Sequence, residues 1–279
     1  MRTITKRITY TSRTDVFRFH SFSDIHLGNR HCAEKLLRRD IRTVQDDPFA
    51  YWWDLGDQCE FINFRDLRFN PRELAKWLLG WDELEDIAKA QRDRYVRMFQ
   101  PIGDKCLMMV EGNHNRSILR HTEREMYATI AEGIDAKNVC VGPSGFLRIV
   151  FNRETGKKRA QGACWTLIVF ATHGWWGGRL MGAGALNLER VAARVHSHIV
   201  IVGHDHKNRA FPLEEIESTR YDKVRMKQVW CISSGTYLGS DEGDWGQADY
   251  AERAGYRPVG AGGVVIEVTP DKRKIRILH

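Results

Sequence analysis

Five short polar clusters carry the residues able to do chemistry: Asp24-Ile-His26, Gly56-Asp57, Gly112-Asn113-His114, His173-Gly174 and Gly203-His204-Asp205-His206. Carboxylate, amide oxygen and imidazole together suit divalent manganese, iron or zinc, with no thiolate required. Asp24 and His26 stand at i, i+2, so in extended backbone both side chains point to one side and can share an ion. His204 and His206 repeat that relation. The glycines at 56, 112, 174 and 203 let the chain turn sharply and approach closely. Each cluster is weak evidence alone, because a DxH pattern arises by chance and a lone histidine at a strand end is usually a satisfied polar residue. The ordered set DxH…GD…GNH…H…GHxH is specific, and it takes five of the eleven histidines.

Such donors must be held by something rigid, and each cluster directly follows an apolar run. These runs are Val16–Ser23, Phe49–Trp53, Cys106–Val110, Thr166–Ala171 and His198–Val202. Short apolar segments rich in branched and aromatic residues read as buried strands. All five clusters can then lie on one edge of a sheet, where open α/β folds hold their ligands. Helical periodicity joins Leu37, Ile41 and Val44, then Leu84, Ile87, Gln91 and Tyr95 within 82–99, then Leu188, Val191, Ala192 and Val195.

Alternating strands and helices predict an α/β fold. Towards the end, Gln228–Ser233, Gly263–Val268 and Lys274–Leu278 read as strands without intervening helices. A hairpin is expected around Arg153–Arg159, which makes the sheet mixed. Chain 1–279 reads as one domain with a helical insertion at 60–100. That insertion contains Phe61, Phe64, Phe69, Trp77 and Trp81, either as its own small core, as a wall over the site, or as a subunit contact.

Composition narrows the class. At 42% hydrophobic and 28% charged, the chain can bury a substantial core. It holds no apolar run long enough to span a membrane and no readable secretory leader, so a cytoplasmic protein is expected. The six cysteines are scattered, without a CxxC pair, which fits reduced thiols better than disulfides or a zinc ribbon. A formal charge of +7 favours polyanionic partners.

With these motifs in order, the segment from Phe19 to His206 resembles the calcineurin-like metallophosphoesterases. The resemblance implies a four-layer αββα sandwich of two mixed β-sheets flanked by helices, with two metals between the sheet edges and the tail strands in the second sheet. It implies that Asp24, His26 and His206 hold the first metal, that Asp57 bridges, and that Asn113, His173 and His204 complete the second. His114 matches the family's non-ligand catalytic histidine. Manganese is the expected ion, with iron or zinc as alternatives. Two ions can acidify a bridging water to a hydroxide nucleophile at neutral pH. Asn115 stands where many relatives carry an acid, and the arginine that protein phosphatases place after GD is missing from Gly56-Asp-Gln-Cys-Glu-Phe. Asp54 and Asp205 are left open, the latter between orienting an imidazole and lying on the surface.

Three functions follow, with different tests. A phosphodiesterase acting on DNA, RNA or nucleotides would use the basic balance, with Trp175 and Trp176 stacking on bases and Arg179 gripping phosphate. Motif order is similar to the DNA-repair nuclease branch, and Lys157, Lys158, Arg159, Lys207 and Arg209 could add backbone contacts. A phosphomonoesterase would use the same metal site on metabolites or phosphoproteins. A non-catalytic scaffold would show degraded site positions, and here all are filled. The oligomeric state is open, a homodimer included.

Overall fold

The protein is described here from a computed structural model, for residues 1–154, 164–176, 181–218, 223–239 and 260–278. Five strands form one sheet: β2 (Phe17–Phe22), β3 (Ala50–Asp54), β4 (Cys106–Met109), β11 (Val265–Thr269) and β12 (Lys274–Leu278), in the order β12-β11-β2-β3-β4. β2, β3 and β4 are parallel, and β11 runs antiparallel to both neighbours. The second sheet has the order β1-β5-β6-β7-β9-β10. It comprises β1 (Arg2–Tyr10), β5 (Ser144–Arg153), β6 (Cys164–Thr172), β7 (Ile199–Val202), β9 (Val224–Thr236) and β10 (Gly262–Gly263), with β8 (Asn208–Ser218) paired along β9. Both sheets are mixed.

Alternation across the pleat divides the core. In β3, Trp53 stacks on Phe19 and points between the sheets, into a core shared with Leu107 and Met108 from its own sheet and Ile149, Val169 and Ile201 from the other. Its neighbour Trp52 points outward into a cluster with α1 (Glu34–Asp46), α3 (Ile87–Phe99), α4 (Asn113–Thr122) and α5 (Met126–Gly133). On the far face, α6 (Met181–Ala192) lays Leu188, Val191 and Ala192 against Phe170, Val200 and Cys231. Helices, sheet, sheet, helix: the four layers are present.

The predicted helical face over 82–99 is divided into α2 (Trp81–Glu85) and α3. Asp86 breaks it, leaving helical geometry and accepting the Lys89 amide as an N-cap. The first half of the 60–100 stretch is irregular chain with two 3-10 turns. Leu74, Leu78 and Ile87 form a small cluster there with Phe69, Trp77 and Leu84, whereas Phe64 and Trp81 face solvent.

Three expectations need correction. The tail strands do not share a sheet: β9 joins the second, while β11 and β12 extend the first beyond β2. The five polar clusters end strands of both sheets, not one, because β6 and β7 belong to the second. Two strands were not foreseen. β1 is an edge strand alternating Arg, Lys and Thr with Ile, too polar to stand out as an apolar run. β8 contains Pro212, which a strand can hold where no ladder donor is needed. The antiparallel β5–β6 pairing expected of a hairpin is present, though its turn lies outside the described residues. No described helix is long and apolar enough to cross a membrane.

Candidate metal centre

Beyond their strands, β2 and β3 continue side by side: the Asp24 amide donates to the Gly56 carbonyl at 3.1 Å and the His26 amide to the Asp57 carbonyl at 3.0 Å. Asp24, His26 and Asp57 are thereby set on one rim. The next loop, after β4, opens α4, so Asn113 and His114 enter the site in its first turn. A side chain at Gly112 would collide with the Asp57 carboxylate, so the close approach of these loops requires glycine there. From the second sheet, His173 follows β6, and His204 and His206 follow β7. The sheets are joined across the site by the His204 amide donating to Asp24 Oδ2 at 2.8 Å.

Among described residues nine non-glycine positions have positive φ, and five of them are Asp24, His26, Asp57, His204 and His206. The expected i, i+2 geometry in extended backbone is thus not what aligns Asp24 with His26 or His204 with His206. Left-handed backbone at each one does so, a conformation that costs energy outside glycine and gathers at functional sites.

Three overlapping groups form: Asp24, His26 and His206; Asp57, His173 and His204; and His26, Asp57 and His114. In each, the potential donor atoms lie within 4.8 Å of one another. Asn113 joins the second group through Oδ1, 2.8 Å from His173 Nε2.

Proton placement decides what these groups can hold. His173 Nδ1 lies 2.7 Å from the Leu55 carbonyl, which can only accept, so the proton sits on Nδ1. Its Nε2 then faces Asn113 Oδ1 and, at 3.2 Å, Asp57 Oδ2. His26 repeats the arrangement. Nδ1 is 2.9 Å from Glu60 Oε2, and Nε2 is 3.3 Å from His206 Nε2. Asp24 Oδ1, buried and without a hydrogen-bond partner among the described residues, completes that set 3.4 Å from His206 Nε2. Acceptors thus face acceptors at separations suited to neighbouring ligands on an ion with bonds of ~2.1 Å. The donor set fits divalent cations, which would satisfy several lone pairs at once.

Titration in the absence of an ion reflects the same crowding. Burial would lower His26, but the charges of Glu60, Asp57 and Asp24 outweigh it and push it up to about 9. His173 is likewise raised to about 9 against burial, chiefly by Asp57. Burial would raise Asp24 and Asp57, yet the surrounding imidazoles hold Asp24 at about 2 and Asp57 well below the carboxylate range.

Sequence reasoning missed Glu60. Its carboxylate fixes His26, and its backbone carbonyl accepts from His114 Nδ1. A glutamate three residues after Gly56-Asp57 was the available signal, but only the fold brings it beneath both rings. Asp54 is no donor to the centre. It is fully buried, accepts from Tyr95 Oη at 2.7 Å, Gln58 Nε2 at 2.6 Å and the Gly56 amide at 2.8 Å, and burial raises it to about 7 despite them. Asn115 accepts the Gly112 amide at 3.0 Å and closes the first turn of α4.

Asp205 orients no imidazole and is not on the surface. It is buried in an ion pair with Arg209 at 2.9 Å. Arg209 and Lys207 are both buried, so neither offers the exposed backbone contact anticipated. The tryptophans diverge as well. Trp175 is 66% exposed beside His173, whereas Trp176 is packed with Phe170 and Leu188 in the α6 core and offers no free face. Arg179, Lys157, Lys158 and Arg159 lie outside the described residues.

No family model matches the chain, and no curated protein matches it. Solved structures do. A metallophosphoesterase from Sphaerobacter thermophilus is 14% identical, over 94% of this chain and 87% of that one, with a TM-score of 0.38. Vps29 of Chaetomium thermophilum is 12% identical over 94% and 92%, with a TM-score of 0.37. A conserved predicted phosphoesterase from Streptococcus pneumoniae TIGR4 is 12% identical over 95% and 98%, with a TM-score of 0.32.

Proposed function

We propose that this chain is a hydrolase that cleaves phosphate esters at a centre of two divalent metal ions, and that its substrate is a phosphodiester of a nucleic acid or nucleotide. One observation carries the reading: two sets of potential metal donors are gathered at the site, His26, His206 and Asp24 in one and His173, Asn113 and Asp57 in the other, with Nδ1 of His26 and of His173 bonded away from it to Glu60 and to the Leu55 carbonyl. Asp24, His26 and His206 would hold one ion, and Asn113, His173 and His204 the other, with Asp57 shared. When bound, two such ions supply an acidified water and a charge clamp for phosphoryl oxygens. Manganese is the first ion to load, since oxygen and nitrogen donors are mixed and thiolate is absent.

The chain's own residues supply the rest. His114 has Nδ1 bound to the Glu60 carbonyl, which leaves Nε2 free to hold a proton at the leaving oxygen. Its backbone amide donates to Asp57 Oδ1 at 2.9 Å, so the same helical turn that presents the imidazole also orients the shared carboxylate. Trp175, exposed next to His173, offers a stacking face for a base. The net charge of +7 suits a polyanion. We read 1–279 as one working domain with 60–100 as an insertion forming one wall of the site.

Cleavage of end-labelled single- and double-stranded DNA by manganese-loaded protein tests this, with EDTA and His114→Ala as controls. Metal-dependent cutting that disappears in the variant is expected. A protein holding two metals that cleaves monoesters but no diester would replace the substrate assignment, and one inert towards every phosphate ester would remove the enzymatic reading.

A further inference from the structure

Beside the centre, residues 63–68 lie along one face of α4. Arg68 forms a bidentate pair with Asp66, Nη2 to Oδ2 at 2.7 Å and Nε to Oδ1 at 3.0 Å, and Nη2 also reaches Ser117 Oγ at 3.0 Å. Further along, His121 Nε2 lies 3.8 Å from Asp66 Oδ2. His114, Ser117 and His121 stand at i, i+3 and i+7, so this loop is clamped to the row of α4 that begins with His114. The loop is stiff. Asn63 Oδ1 accepts the Arg65 amide and Asp66 Oδ1 the Arg68 amide, each at 2.9 Å. The Arg68 side chain is still 48% exposed, and Nη1 makes no hydrogen bond among the described residues.

The adjacent row of α4 begins with Asn113 and continues to Arg116, one turn on. Arg116 is exposed, and its guanidinium makes no hydrogen bond or ion pair among the described residues. Glu111 is near enough to feel its charge but does not pair with it. Arg116 lies just past the first turn of α4, where the positive end of the macrodipole and the guanidinium together favour an anion. The same place lies one turn from the centre. Phe64, 67% exposed, adds an aromatic face to the loop that carries Arg68.

We infer that Arg68 and Arg116 form a phosphate-holding subsite beside the metal centre, built for a neighbouring phosphate of a single-stranded polynucleotide with Phe64 stacking on a base. This rests on the phosphoesterase reading above and deepens it. A single strand combines a repeating anion with exposed base faces, the two things a guanidinium pair and an exposed phenyl ring recognise together. A small phosphate ester would engage the centre without reaching this subsite.

The test is fluorescence anisotropy of a short labelled single-stranded oligodeoxynucleotide, titrated with metal-loaded protein in calcium over a series of salt concentrations. Arg68→Gln with Arg116→Gln should weaken binding ten-fold or more and lower the slope of log Kd against log salt by about 0.7 for each lost contact. The Lys pair, Arg68→Lys with Arg116→Lys, should keep most of the slope, and Phe64→Ala should weaken binding without changing it. Circular dichroism and metal stoichiometry check that each variant is folded and loaded. Unchanged affinity and slope in the Gln pair would overturn the inference, as would equal displacement of the oligonucleotide by an acidic polypeptide. Either failure leaves the metal-dependent hydrolysis of a small phosphate ester standing, whereas loss of that activity in the loaded wild type removes the reading beneath it.

Discussion

Glu60 Oε2 lies 2.9 Å from His26 Nδ1, at the point where the chain leaves the Asp57 loop for the 60–100 segment. The bond fixes the ring's tautomer and turns Nε2 towards His206 and Asp24. A carboxylate behind an imidazole also makes it a stronger donor to a metal. Glu60→Ala should therefore weaken metal retention by about 10–100-fold. Glu60→Gln should fall between, since its amide oxygen can still accept from Nδ1 without the charge. Metal titration calorimetry reads both, and wild-type affinity in Glu60→Ala would show that the bond is incidental.

His114 contributes an imidazole to the site without being needed to complete either set of facing acceptors. Replacing it with alanine should keep both ions but slow turnover by about 10²–10⁴-fold, the range for a lost general acid. The loss should shrink with a leaving group that needs no proton, such as p-nitrophenolate. Equal losses for good and poor leaving groups would argue against proton donation.

Protons and metals compete for the same nitrogens. In the metal-free protein His26 and His173 are both raised from 6.5 to about 9, against burial, by the carboxylates around them. A histidine with a raised folded value contributes stability that is whole below pH 6.5 and is lost as pH climbs through about 9. Unfolding in EDTA should show stability falling across that window. Metal uptake near neutrality should release protons, so its apparent enthalpy will vary with the buffer's ionisation enthalpy, and affinity will rise with pH. Proton-neutral binding would show that His26 and His173 have already lost the second ring proton near neutrality, against their raised values.

Trp175 and Trp176 are adjacent yet should behave oppositely. Truncating Trp176, which is buried in the α6 core, should cost about 3–5 kcal/mol of stability. Trp175→Ala should leave stability within about 0.5 kcal/mol and weaken nucleotide binding by about 1–3 kcal/mol. Chemical denaturation separates the first pair of outcomes and a binding titration the second. A stable Trp176→Ala variant would mean that its packing is dispensable.

Much of this protein was legible in its sequence. The strands that carry the site are short runs such as Ile199–Val202, apolar at every position because both faces are covered, and such runs announce themselves. The residue types that end them, carboxylate, amide and imidazole, suit a hard-to-intermediate metal ion whatever the fold around them. Helix periodicity likewise located the buried stripe of α1 at Leu37, Ile41 and Val44.

The tertiary structure decided what no local pattern encodes. Which sheet a strand joins depends on pairing partners far away in the chain, so β11 could settle against β2 and β9 against β7 without either sequence differing in kind. The left-handed backbone at Asp24, His26, His204 and His206 runs against the residues' own preference, and the bonds around it, from the Asp24 and His26 amides to the β3 loop and from the His204 amide to Asp24 Oδ2, exist only in the folded chain. Glu60 and Asp205 look alike as charged loop residues. One is carried beneath His26 and the other is drawn into a buried pair with Arg209, because burial forces each charge to find a partner and only the folded chain determines which is within reach.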